Sequence, residues 1–189
     1  MVILLLASSS GAFPPSRFST GLDMTSLHWQ DEDDVFWSFN FAWGPMIRRN
    51  VYLRARVSIP VPGFIIIGNQ FKAGGELLWD VVQTNDGFGL SLSAGVHWCA
   101  MWPENIIVIL ADGDTGGEPV KQEAFEDASG TGFELLASPC LLMGPVRIVL
   151  DLGVEHRIVT VNEFTENGIR GFDRTFTGPH AGFSMSVDF

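Results

Sequence analysis

No stretch of this chain stays apolar long enough to cross a bilayer as a helix. Such a helix needs about 20 consecutive apolar residues. The apolar-rich run Val146–Val154 is already broken by Arg147 and Asp151. Basic residues are scarce as well: 11 Lys and Arg stand against 22 Asp and Glu, a formal net charge of −11. That excludes nucleic acid as a partner, because phosphate binding needs clustered Lys and Arg. Cysteine is nearly absent. Cys99 and Cys140 make no disulfide framework and match no zinc-ligand spacing. No sequence motif calls for a metal or a cofactor. Yet 46% of the residues are hydrophobic and the mean hydropathy is +0.21. One domain of this length either holds a large soluble core or enters a membrane by another geometry.

The N-terminus has the outline of an export signal. Val2 to Ala7 is apolar, and Ser10-Gly11-Ala12 offers small residues at a cleavage site. A positive leading region is missing and the apolar stretch is short, so residues 1–12 read as a truncated signal and 13–189 as the mature domain.

What is present is alternation at period two, the signature of half-buried strands. One parity from Val35 to Trp43 is Val35, Trp37, Phe39, Phe41 and Trp43. The same rhythm runs through Val51–Ile59, Phe71–Val81, Phe88–Trp102, Val146–Val154 and His180–Phe189. Two strands are less regular. Phe133–Met143 contains Pro139, which cannot donate to a ladder, so a bulge or strand end is expected there. Phe18–Trp29 changes phase between Met24 and Leu27, which a bulge would absorb.

That makes eight strands. Gly44-Pro45-Met46, Gln83–Gly87 and Met143-Gly144-Pro145 read as tight turns. The other connections are generally longer: 30–34, 60–70, 103–131 and 159–173. Short turns at one end and longer loops at the other are the topology of an up-and-down outer-membrane barrel. The expected fold is all-β, an eight-stranded antiparallel transmembrane barrel.

Alternation alone also fits a soluble lipocalin-like barrel with its apolar face inside. An eight-stranded lumen is only just wide enough to be filled by side chains, too narrow for at least five tryptophans and their bulky neighbours. The opposite parity is rich in Gly, Ser and Ala. It carries Arg54, Arg56, Lys72, Glu76, Asp80, Arg147, Asp151, Glu155 and Arg157, charges of both signs that can pair inside. Antiparallel pairing across 60–70 sets Arg54 opposite Glu76. Trp43 and Trp79 fall near the short-turn end, and Trp29, Trp98 and Trp102 near the long-loop end. Two interfacial aromatic girdles would be distributed in this way.

The chain ends in an alternating strand, Ala181–Phe189, with Phe183, Met185, Val187 and Phe189 on one face. This resembles the C-terminal signature of outer-membrane barrels. The mature chain is similar to the small eight-stranded group of the OmpA transmembrane domain, OmpX and OmpW. The resemblance implies the bacterial outer membrane as location and its lipid as surroundings. It also implies a barrel-assembly machinery that reads the terminal strand.

The functional reading is a structural or narrow-channel barrel with surface-exposed acidic loops, and not an enzyme. The alternatives are a lipid-modifying barrel enzyme and a soluble ligand-binding barrel. His97 faces the lumen on its parity, but no motif supplies the nucleophile that a catalytic base needs. His156 has the outward parity, and His28 and His180 show no partner pattern. Asp112–Glu118 lacks the ligand spacing of a calcium loop. Ile106–Leu110 is an apolar island in the longest loop. Cys99 and Cys140 are expected roughly seven residues apart along the barrel axis, too far for a disulfide.

The terminal strand makes a first test. Deleting Phe189 should lower the amount of inserted protein in cells far more than it lowers folding in detergent. Phe189→Trp should retain most of the wild-type level and Phe189→Asp should not. Wild-type membrane levels of the deletion variant, measured by immunoblot of outer-membrane fractions, would remove the terminal-signal argument.

Overall fold

β-Branched and aromatic residues alternate with small and polar ones along most of the chain. Only a pleated strand sends those two sets to opposite faces. The computed structural model describes residues 14–29, 32–61, 68–102, 125–165 and 168–189. They form β1 (Ser16–Trp29), β2 (Glu32–Arg48), β3 (Val51–Pro60), β4 (Gly68–Gln83), β5 (Phe88–Trp102), β6 (Phe125–Met143), β7 (Val146–Thr165) and β8 (Gly168–Asp188). Each strand pairs antiparallel with the next, and β8 pairs back onto β1 to close the barrel. At the seam Ser16 and Phe189 exchange backbone hydrogen bonds of 2.7 and 2.9 Å. The chain terminus is therefore part of the closure. Residues 1–12, read as a signal, lie outside the described residues, as do Ile106–Leu110 and Asp112–Glu118.

Several local expectations are corrected. The turn after β2 is Arg49-Asn50, not Gly44-Pro45-Met46. Pro45 sits inside β2 opposite Ser16, and Asn50 takes the left-handed conformation (φ 61°) that a two-residue hairpin needs. β1 has no bulge: its register with β2 runs unbroken from Ser16↔Pro45 to Trp29↔Glu32. The phase change arises because Thr20 and Ser26 share the outward parity with Phe18 and Met24. Pro139 neither ends nor bulges β6. It pairs with Leu90, and on the other side the ladder skips two partners and resumes in the same register at Cys140↔Val149. The stretches 103–131 and 159–173 hold less loop than expected, because β6, β7 and β8 run on outward. β7 and β8 stay paired to Thr165↔Gly168.

β3 is the short strand. Above its end at Pro60, β2 and β4 meet directly in a parallel pair, Phe36↔Gly68 and Trp37↔Asn69. This draws the wall inward at the long-loop end. An apolar cluster fills the space: Phe36, Cys99, Met101, Ala128, Val159, Val161 and Phe176, with Phe172 against it.

The burial pattern is inverted relative to a soluble protein. Among the described residues, 25 buried side chains are polar or charged and 14 are apolar. On the outer wall, 26 large apolar side chains are exposed. Soluble monomers rarely expose apolar patches beyond a few hundred Å². On β7 the outward series from Val146 to Ile158 is apolar except for His156, and Thr160 follows. Twelve steps cover about 40 Å of strand, or about 30 Å along the axis at the usual tilt, slightly more than the roughly 25 Å apolar band of outer-membrane barrels.

A continuous ladder of this kind resists SDS until heated. The folded protein should migrate at a different apparent mass before and after boiling. Identical migration of a sample that is soluble without detergent would contradict the membrane barrel.

Candidate functional site

Because the apolar parity faces outward, the charges on the other parity between the two ends of the barrel must be accommodated in the lumen. All nine charges expected there lie on the lumen side. They join residues that sequence reasoning did not place in the network: Arg17, Asp23, Glu134, His180 and Asp188. Together they form three layers.

Nearest the short turns, Arg17 grips Asp80 with two hydrogen bonds of 2.8 Å and reaches Asp188 at 2.6 Å. Its guanidinium lies over the Tyr52 ring, 4.2 Å from the centroid. Arg147 holds the same two carboxylates at 2.7 Å (Asp188) and 3.3 Å (Asp80). Ser91 and Gln83 donate to Asp80 at 2.7 and 2.8 Å. One carboxylate thus serves two arginines and two neutral donors.

In the middle, Arg54 Nη2 lies 2.7 Å from Glu76 Oε1, the pairing expected from the register, and Arg54 Nη1 donates to Ser19 at 3.0 Å. The Arg54–Glu76 contact is close without hydrogen-bond alignment, and neither Glu76 oxygen has an aligned donor among the described residues. Arg56 bridges Asp23 (2.6 Å) and Glu134 (2.7 Å), and Asn40 also donates to Asp23 (2.6 Å). Asp151 accepts from Ser138 at 2.5 Å.

The upper layer centres on Glu155, which is fully buried. Its Oε1 accepts from Arg157 at 2.6 Å and lies 2.8 Å from His97 Nε2. Its Oε2 takes Thr25 (2.9 Å) and Lys72 (3.2 Å), with His180 Nδ1 at 3.5 Å. Arg157 also donates to Gln70 at 2.6 Å. Above Arg157 the apolar cluster begins. Lumen glycines make room for these groups. A Cβ on Gly132 would stand 2.6 Å from His97 Nε2, and one on Gly182 would stand 2.6 Å from Asp23 Oδ1.

Counting both ends, six Lys and Arg face seven carboxylates in the lumen, and the odd one, Asp188, is partly exposed at the rim. Among the described residues, the lumen holds two cavities of about 20 and 10 Å³, each about the size of one water.

Two chemical readings can be judged on this geometry. His97, Glu134 and Glu155 present ligand atoms within 4.8 Å of one another. However, the Lys72 ammonium lies 3.2 and 3.8 Å from the two carboxylates, and Arg56 and Arg157 hold their other oxygens. A cation already occupies the place a metal would take. As for nucleophilic catalysis, no serine or threonine hydroxyl among the described residues bonds to His97. His156 faces outward, stacked on Phe133 with centroids 5.0 Å apart and bonded to Thr177 at 2.7 Å.

On the outer wall, Trp43, Trp79 and Trp98 are each about half exposed. Trp79 pairs with Leu92, and Trp98 lies six residues further along β5, about 20 Å. Trp29 and Trp102 end β1 and β5, and their side chains, like that of His28, lie outside the described residues. Phe183, Met185 and Phe189 are exposed on the same wall, and Val187 is half-buried. Cys99 and Cys140 are free thiols. Cys99 pairs with Gly130, so ten residues of β6 separate them rather than seven.

The charges reached by regular alternation were legible. Arg17 was missed because the first strand begins two residues earlier than its pattern suggests, and Asp23 because that strand's phase is blurred. Glu134 was readable: it alternates against Phe133 and Leu135.

Removing one partner of a buried pair costs about 3–5 kcal/mol, because the other charge stays buried and unpaired. Arg54→Ala and Glu76→Ala should each destabilise the barrel, and the double variant should cost much less than their sum. Urea titrations in detergent that give additive effects would show that the pair is not coupled.

No family model matches this chain, and no curated protein matches it in sequence. Solved structures do match in fold. Neisserial surface protein A aligns over 92% of this chain and 97% of its own, with a TM-score of 0.56 at 13% identity. The outer-membrane protein OprG of Pseudomonas aeruginosa aligns over 94% and 96%, with a TM-score of 0.56 at 11% identity. The N-terminal β-barrel domain of OprF from the same organism aligns over 95% and 100%, with a TM-score of 0.51 at 9% identity. At such identities the likeness speaks for the fold, and the fold of this chain is that of the small eight-stranded outer-membrane barrels.

Proposed function

We propose that the chain spans the bacterial outer membrane as a sealed, non-conducting barrel that carries an acidic face outside the cell. The observation that carries this reading is the filled lumen. Among the described residues, three layers of ion pairs and an apolar cluster fill the axis around two water-sized cavities. Of the two forms of the structural reading, scaffold and narrow channel, this filling supports the scaffold.

The distribution of charge supports the orientation. The stretches at the long-loop end contain fourteen acidic residues: Asp31 to Asp34, seven between Glu104 and Asp127, then Glu163, Glu166 and Asp173. Only Lys121, Arg170 and Arg174 offset them. This surplus equals the whole net charge of −11, because the lumen and the short turns cancel each other. The short-turn end, with Arg48 and Arg49 against Asp86, carries no acidic surplus. Among the described residues, the lack of a hydroxyl partner for His97 favours the scaffold over a lipid-modifying enzyme. The terminal strand, closed on Ser16 through Phe189, is the element that assembly machinery would read.

Refolded protein in planar bilayers should show no conductance above the lipid baseline across ±100 mV, on the order of the membrane potentials considered physiological. Stable unitary openings in verified, heat-modifiable protein would overturn the sealed barrel and restore the narrow channel.

A further inference from the structure

The outer wall holds one feature that the scaffold reading does not use. A groove of about 490 Å³ crosses β4 to β7. Its floor is two rows of paired residues. Ala73, Trp98, Thr131 and Ile158 lie side by side in one, and Gly75, Val96, Phe133 and His156 in the other. Trp98, Phe133 and Ile158 stand up as its walls, each about half exposed. Small side chains at Ala73, Gly75 and Thr131 leave the space between them.

Gly75 is not explained by the backbone. It has no left-handed φ, and a Cβ built on it would meet a single atom, Arg54 O at an ordinary 3.7 Å. Its neighbour Gly74 faces the lumen and cannot be replaced in this way, since a Cβ there would collide with the backbone of β5. A side chain therefore fits at Gly75, and its absence opens the groove.

His156 is the second unusual choice. It sits on the lipid-facing wall between Val154 and Ile158, both more than half exposed. Its Nδ1 is bonded to Thr177. An imidazole in this apolar series is a polar contact placed beside an apolar trough. The level matters: Ile158 is the last apolar outward residue of β7 before Thr160, so the groove meets the outer boundary of the apolar belt. Ester and amide linkages of lipids lie at that boundary, with their chains directed into the belt.

We infer that this groove is a binding site for one acyl chain of an outer-leaflet lipid, with the chain against Val96, Trp98 and Phe133 and its polar linkage at His156. The inference rests on the membrane reading proposed above, because continuity with the lipid-facing belt is what selects a lipid as occupant. Burial of a chain adds hydrophobic free energy only where the chain leaves water. In a bilayer the gain comes instead from shape complementarity and from the polar contact, so filling the groove should abolish selective retention.

The test is native mass spectrometry of the full chain, reconstituted in phosphatidylethanolamine–phosphatidylglycerol vesicles and re-extracted in mild detergent. The wild type should retain one lipid per barrel. G75L should reduce that retention at least tenfold, and so should T131L, which fills the same space from β6. A137L, which adds a leucine to the outward face of β6 away from the groove, beside Leu92 and Leu152, should not. Heat modifiability reports folding of each variant, and T131L carries the test if G75L fails to fold. An inserted wild-type barrel that retains no lipid overturns the groove and leaves the membrane reading intact, as does equal retention by the wild type, T131L and A137L. Protein that never enters the vesicles overturns both.

Discussion

A peptide group that faces hydrocarbon has no water to bond to, and each unsatisfied group costs several kcal/mol. For a chain with no long apolar helix, closure of the sheet is the way to meet that demand. Everything else in this structure follows from it. Closure requires that the last strand find the first, which β8 does from Arg17↔Asp188 to Thr25↔His180, with Ser16 and Phe189 bonded beyond it. Closure also divides the side chains into two sets that cannot mix. One set faces outward, to the lipid of the proposed membrane, and the other meets its own kind across a narrow lumen.

The lumen then faces the usual difficulty of buried charge. Ion pairs removed from water are seldom net stabilisers, since desolvation consumes most of the attraction. Here the alternative partners are other buried charges rather than solvent, and almost every carboxylate is shared. Asp80 serves Arg17 and Arg147, Glu155 serves Lys72 and Arg157, and Arg56 serves both Asp23 and Glu134. With Asp188 held by both Arg17 and Arg147, sharing ties six of the eight strands together through side chains alone. It also explains the small residues of the inner face. Gly132 and Gly182 stand where any larger side chain would displace His97 or Asp23. Above the last ion pair, the wall draws in where β2 meets β4 over the end of β3, and the filling changes from charge to Phe36, Met101 and Val161.

How much of this was legible depended on how cleanly each strand alternates. β3 and β5 read directly, and the Arg54–Glu76 register followed from the two strands that flank residues 60–70. β1 was obscured by Thr20 and Ser26 on its outer face, which hid Asp23 and with it one end of the Arg56 bridge. Pro139 looked like a strand end because its missing N–H is costly in a ladder. In the structure two ladder partners are skipped instead and the register is kept. The outward extension of β7 and β8 was hidden because Thr160, Asn162, Asp173 and Arg174 are loop-like in composition, although the two strands stay paired there. The apolar cluster was not foreseen, because the inner face was expected to be polar throughout. The inward parity of Val159 and Val161 was its signal.

The central claim is that the apolar parity faces lipid. Tryptophan fluorescence of the wild-type chain, in vesicles whose acyl chains carry bromine at defined depths, tests it most directly. The account predicts strong quenching, greatest for bromines placed near the headgroup, where the proposed girdles would put Trp43, Trp79 and Trp98, and weak quenching by aqueous acrylamide. Quenching by acrylamide with no response to bromine at any depth would place the tryptophans away from lipid and contradict it.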